Sequence, residues 1–155
     1  MTHSQKEALA KLMKYCAYQE RCFAEVEAKL HSLGLYGDNA GEVVVELSRS
    51  GFLDEERFAR AFVRGKFRLK KWGKRKIANA LRQKQISEHC VDEGFKEIDD
   101  SEYLEVLQEI ARNYWGKLKA EKNVWEKRKK TGSYLLQKGY EPELINTLLK
   151  ELAEV

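Results

Sequence analysis

A chain of 155 residues that is 43% hydrophobic can pack one domain, or a few small units sharing a core, which excludes a disordered polypeptide. No stretch approaches the ~18 apolar residues of a membrane-spanning helix. The start, MTHSQKEALAK, lacks the apolar run of a secretory signal, and Cys16, Cys22 and Cys90 follow no disulfide spacing, so they read as reduced thiols of a cytoplasmic protein. The net charge of +4 is unevenly laid out: residues 1–56 carry −4, 57–84 carry +12, 87–110 carry −8, 111–140 carry +7 and 141–155 carry −3. Two basic blocks between acidic ones point to an anionic partner, most often a phosphate backbone.

Nearly every segment has helical periodicity, none alternates as a strand does, and proline occurs once. The first helix is expected over residues 5–18, with Ala8, Leu9, Leu12, Tyr15 and Cys16 inward. A second, over 21–33, turns Cys22, Phe23, Val26, Leu30 and Leu33 inward and ends at Gly34. A third spans about 40–50, with Asn39 and Glu42 spaced as a capping box and Gly51 at its end. Asp54 caps a long basic helix whose first turn holds Glu55 and Glu56, favoured there by the helix dipole, and Gly73 breaks it. Short helices over 74–85 and from Ser87 follow, then a seventh over 101–119 with Tyr103, Leu104, Leu107, Ile110, Ala111 and Tyr114 inward. An eighth ends near Gly139, and Pro142 opens the ninth at the position where a missing N–H is harmless.

Nine helices in threes suggest a repeat. Leu30 and Leu35, Leu81 and Ile86, and Leu135 and Tyr140 are each five residues apart, at the end of the second helix of each unit. A period near 50 residues built of helices marks a tandem array. The expected fold is therefore all-α, an elongated, curved array of three three-helix repeats over residues 1–53, 54–99 and 100–155.

The chemistry concentrates in the basic helix. Residues 57–84 hold twelve Lys or Arg and no Asp or Glu. Phe58, Phe62, Gly65, Leu69 and Trp72 form one helical seam, and Arg57, Arg60, Arg64, Arg68 and Lys71 form a second, one residue to the side. The apolar seam is expected to fix the helix and the cations, with Lys66 and Lys70, to face phosphates or an acidic groove. Lys74, Arg75 and Lys76 extend that face at the start of the next helix, where unbonded N–H groups attract anions. Two or three arginines are expected to pair with Glu55, Glu56 or the acidic 87–110 block. A second cluster, Lys117, Lys119, Lys122, Lys127, Arg128, Lys129 and Lys130, lies near Trp115 and Trp125, which belong to a helical seam or offer rings for base stacking. His3, His31 and His89 have no metal spacing, and no nucleophile elbow, phosphate loop or zinc-helix motif is present. The pattern reads as a binding protein with no catalytic residue, metal or cofactor.

The segment Asp54-Glu55-Glu56-Arg57-Phe58-Ala59-Arg60-Ala61-Phe62-Val63-Arg64 resembles the characteristic motif of the bacterial RecX family, regulators of the RecA recombinase. Gly73-Lys74-Arg75-Lys76-Ile77 followed by Leu81 is similar to the family's next signature, and Cys22-Phe23-Ala24-Glu25-Val26 with Lys29-Leu30 and Gly34-Leu35 to its first-repeat pattern. Gln85 stands where glycine is usual, so that turn is expected to close differently, and Cys22 stands for a serine. The resemblance implies a non-enzymatic monomer of three-helix modules that docks on the RecA filament on single-stranded DNA, with double-stranded DNA met only weakly. It implies inhibition of filament extension, ATP hydrolysis, strand exchange and coprotease activity, hence a part in recombination, DNA repair and the SOS response. The alternative is a helical DNA- or RNA-binding protein independent of RecA.

Overall fold

The computed structural model describes residues 1–154. Among them are nine helices and no strand: α1 (His3–Tyr18), α2 (Phe23–Ser32), α3 (Gly37–Arg49), α4 (Glu55–Lys70), α5 (Lys74–Gln83), α6 (Glu88–Phe95), α7 (Asp100–Lys117), α8 (Val124–Lys138) and α9 (Pro142–Ala153).

The three five-residue pairs are three copies of one helix-ending device. Leu35, Ile86 and Tyr140 donate their N–H groups to the carbonyls of Leu30, Leu81 and Leu135 at 3.0, 3.1 and 3.2 Å, satisfying carbonyls that a helix end otherwise strands. All six side chains are buried. The residue before each donor is left-handed: Gly34 (φ 83°), Gln85 (φ 63°) and Gly139 (φ 99°). The middle turn therefore closes as the other two do, contrary to expectation, and Gln85 bears a cost of about 1 kcal/mol that glycine avoids.

Packing divides the chain into two units, Met1–Phe62 with Leu81–Gly94, and Val63–Ala80 with the chain from Phe95 onward. In the first, α1, α2 and α3 close on Ala8, Leu12, Val26, Leu30, Val43 and Leu47. Thr2 and Gln5 form a reciprocal cap that starts α1 earlier than expected. Helix α3 also starts earlier, at Gly37, so Asn39 and Glu42 do not cap it. Instead the buried Gln5 amide donates to the Asn39 carbonyl (3.1 Å) and the Glu42 carboxylate (3.0 Å), tying α1 to α3. Asp54 does cap α4, accepting the Arg57 N–H at 3.0 Å. Phe23, expected inward, is exposed. Cys16 and Cys22 are buried and Cys90 half-buried, all three free.

In the second unit α7, α8 and α9 pack mutually through Leu107, Ile110, Ala111, Leu135, Ile145 and Leu149, while Leu104, expected inward, is exposed. The end of α8 meets the start of α5. Gly73 and Arg75 donate to the Lys138 and Gly139 carbonyls at 2.7 and 3.0 Å, and Lys74 N–H donates to the Tyr103 hydroxyl at 2.9 Å. That hydroxyl in turn donates to Glu141, and the Tyr140 hydroxyl donates to the Lys71 carbonyl at 2.8 Å. A Cβ on Gly73 would lie 2.3 Å from the Gly139 carbonyl carbon, and one on Gly139 would lie 2.3 Å from Lys76 Cβ. Gly73 is thus a contact glycine. The helix breaker is Lys71, which turns left-handed (φ 56°) one residue after α4 ends.

The buried face of α4 is Phe58, Ala59, Val63 and Phe67, about one residue step (~100°) from the expected seam. Phe62 is half-buried with its ring 5.8 Å from Phe58, and Leu69 is 83% exposed. Apolar residues lie on two adjacent faces of this helix. In the second unit the contact of Phe67 with the Tyr103 ring (5.8 Å) goes with burial of one face and exposure of Leu69 on the other.

In urea denaturation Gly73→Ala is expected to cost roughly 3 kcal/mol, from forced separation of two backbones and loss of their hydrogen bonds. Gln85→Gly, relieving the left-handed turn, is expected to add about 0.5–1 kcal/mol.

Candidate nucleic-acid interface

Arg57, Arg60 and Arg64 of α4, and Lys71 and Lys74 just after it, are answered by carboxylates. In the first unit Arg57 pairs with Glu20, and Arg60 is held between Glu56 (2.9 Å) and Glu93 (2.7 Å). In the second, Arg64 meets Glu97 at 3.1 Å, Lys71 meets Glu109 at 3.6 Å and Lys74 meets Asp100 at 3.5 Å. Three arginines of the stripe and Lys71 therefore have an acidic partner, and two of those arginines, Arg60 and Arg64, meet Glu56 or the 87–110 block, within the two or three expected. The acidic 87–110 block supplies three of these carboxylates. Such part-exposed pairs contribute at most about 1 kcal/mol each and weaken in salt.

The start of α5 is not an open anion site either. The N–H groups of Gly73, Lys74 and Arg75 are already bonded to Lys138, Tyr103 and Gly139. The cationic side chains around that turn are what it presents. Trp72, half-buried, has the Lys66 ammonium 4.8 Å and the Lys76 ammonium 4.5 Å from its ring, positions that favour a cation over an aromatic face. Arg68, Lys70 and Arg75 are exposed and have no carboxylate partner among the described residues. In the second unit, then, a ring carrying two cations sits within a short sequence of three unpaired ones.

Asn123 opens α8, its side chain accepting the Trp125 and Glu126 N–H groups at 2.9 and 3.3 Å. Lys127 then lies 4.7 Å over the Trp115 ring, and Lys129 5.2 Å over Trp125, which is 64% exposed. Lys130 is engaged by Glu121 at 3.0 Å, which holds the Glu121 carboxyl below its usual range and the lysine above its own. Arg128 is half-buried. Lys138 was not among the expected cations. Its ammonium donates to the Lys70 carbonyl at 3.2 Å, across 68 residues, a contact no local pattern announces.

The motif residues are structural. Asp54 caps α4; Phe58, Ala59, Ile77 and Leu81 are buried, Phe62 partly so; Gly73 makes the backbone contact with Gly139. Among the described residues no three His, Cys, Asp or Glu side chains converge as a metal-binding group, and no helix is long and apolar enough to cross a membrane.

These features define an all-α protein of tandem three-helix repeats with cationic, aromatic-bearing surfaces. Residues 54–94 match the RecX second three-helix domain and residues 100–149 the RecX third three-helix domain, together more than half of the chain. The chain belongs to the RecX family of regulatory proteins. The regulatory protein RecX of Lactobacillus johnsonii is 32% identical over 98 residues, 63% of this chain and 36% of that protein. That of Clostridium tetani is 30% identical over 141 residues, 90% of this chain and 64% of that one. The chain thus spans less than two thirds of the length of these two relatives. A crystal structure of RecX from Lactobacillus salivarius shares the fold, with a TM-score of 0.88 over 100% of both chains at 22% identity.

Replacing Arg60 or Arg64 by Ala is expected to cost about 0.5–1 kcal/mol in low-salt denaturation. Arg68→Ala or Arg75→Ala is expected to stay within about 0.5 kcal/mol, as for a surface change that breaks nothing.

Proposed function

We propose that this protein is a non-enzymatic, cytoplasmic regulator that binds the RecA filament on single-stranded DNA as a monomer. There it limits filament extension, ATP hydrolysis, strand exchange and coprotease activity. The observation that carries this reading is that the family's second-domain match, residues 54–94, contains both the ion-paired stripe of α4 and the exposed cations around Trp72. In this reading the three repeats run over residues 1–53, 54–99 and 100–155. The paired arginines keep α4 in register with its acidic neighbours. Arg68, Lys70 and Arg75, with Lys66 and Lys76 on Trp72, meet the anionic filament, and Lys127, Arg128 and Lys129 add a second contact beside the exposed Trp125.

Phosphate contacts make binding salt-dependent, with log K on a single strand falling by about 0.7 per contact for each decade of salt. The wild-type protein is expected to inhibit RecA-dependent ATP hydrolysis at substoichiometric amounts. The triple variant Arg68→Ala, Lys70→Ala, Arg75→Ala is expected to inhibit far less, with a salt slope reduced by about two. Full inhibition by this variant, folded by circular dichroism, would remove these residues from the mechanism. Equal binding to naked DNA and to a RecA–DNA filament would favour the RecA-independent reading instead.

A further inference from the structure

Beside the basic turn, the second unit holds a recess of about 170 Å³ whose lining includes Lys71, Asn113, Tyr114, Lys117, Tyr134 and Lys138. Three lysines come from three separate places, the turn after α4, the end of α7 and the end of α8, and no Asp or Glu is among the lining residues. The Glu109 carboxylate stands 3.6 Å from the Lys71 ammonium and is 60% exposed. Gathering like charges in one hollow is unfavourable unless an anion occupies it.

Two features show that this gathering is held in place by the structure. Lys138 is fixed by its bond to the Lys70 carbonyl and keeps two further N–H donors. Lys71 occupies the left-handed position at a helix end where α2, α3 and α8 have Gly34, Gly51 and Gly139. A lysine there costs about 1 kcal/mol against glycine, and its side chain lines the recess.

Size and surroundings select the ligand. A volume equal to about five or six waters, at ~30 Å³ each, admits a phosphate group but falls below the ~300 Å³ of pockets that enclose a whole small molecule. Asn113 adds an amide donor. Tyr114 and Tyr134, stacked at 4.2 Å and 9°, form a flat wall, and the same pair also lines a second recess of about 430 Å³ with Glu126, Lys129, Lys130 and Ser133. In the second hollow Lys130 is held by Glu121 and Glu126 shares the lining, which leaves Lys129 as its cation, and one aromatic wall between two hollows suits a repeating anion better than an isolated one.

We propose that the Lys71, Lys117 and Lys138 recess binds a phosphate group, and that its source is the backbone of a single-stranded nucleic acid continuing toward Lys129 and Lys130. The proposal deepens the filament reading by adding Lys117 and Lys138 to the anion-binding set, and its nucleic-acid arm rests on that reading. The test uses the whole protein without RecA. The Asn113 side-chain amide is followed by NMR while an oligothymidylate or inorganic phosphate is added, and oligonucleotide affinity is measured for Lys117→Gln and Lys138→Gln. The expected result is a saturable Asn113 shift with the oligonucleotide, and affinity about fivefold weaker for each variant, with the salt slope lowered by about 0.7. Both variants are checked for an unchanged melting temperature, and Lys117→Gln, which breaks no mapped hydrogen bond, decides if Lys138→Gln unfolds. A shift with inorganic phosphate alone would overturn the nucleic-acid source, and no shift with either would overturn the site. Because RecA is absent, a silent recess in a protein that still inhibits RecA would separate this failure from that of the filament reading.

Discussion

The second unit depends on one junction, where the carbonyl end of α8 meets the amide end of α5. A helix start leaves N–H groups without partners and a helix end leaves carbonyls, so joining the two satisfies both at once. The meeting requires backbones closer than any Cβ allows, which is why glycine stands at both Gly73 and Gly139. Tyr103, Glu141 and Tyr140 complete the polar account. Burial raises both tyrosine hydroxyls above their usual range, so they stay protonated and able to donate at any working pH. Lys71, Trp72, Lys74 and Lys76 all lie within three residues of Gly73, so the cations around Trp72 take their positions from this joint.

The helices and the triplication were legible because they rest on local rules: helical periodicity, capping residues and a five-residue closing turn. Even Gln85, which breaks the residue rule of that turn, keeps its geometry, since Leu81 and Ile86 still gain by closing it. What was not legible required partners distant in sequence. The phase of α4 was misread because Phe62 and Leu69 form as good a stripe as Ala59, Val63 and Phe67, and contacts such as that of Phe67 with Tyr103 tell them apart. The capping role expected for Asn39 and Glu42 gave way to Gln5, an α1 side chain 34 and 37 residues away.

The charge pattern was legible in outline, since pairing of two or three arginines with the acidic block was expected, but not which residues would pair. A run of twelve cations looks free when viewed along the chain, but acidic residues at 93, 97 and 109 return to meet it. This pairing divides the stripe into cations that register helices and cations left for an anion. Of the stripe only Arg68 falls in the second group, which is joined by Lys70 and Arg75 near Trp72 and by cations on α8. Lys138, which no sequence pattern marked, joins them only because the α8–α5 junction brings it to the Lys70 carbonyl.

The central claim is that this junction is a permanent part of the second unit, and hydrogen exchange of the Gly73, Lys74 and Arg75 amides tests it directly. The first amides of a helix ordinarily exchange almost without protection. Here they are expected to be protected within about tenfold of the slowest amides of α7, because opening them means opening the unit. Exchange of these three amides as fast as those of Glu88 and His89 at the start of α6 would contradict the account.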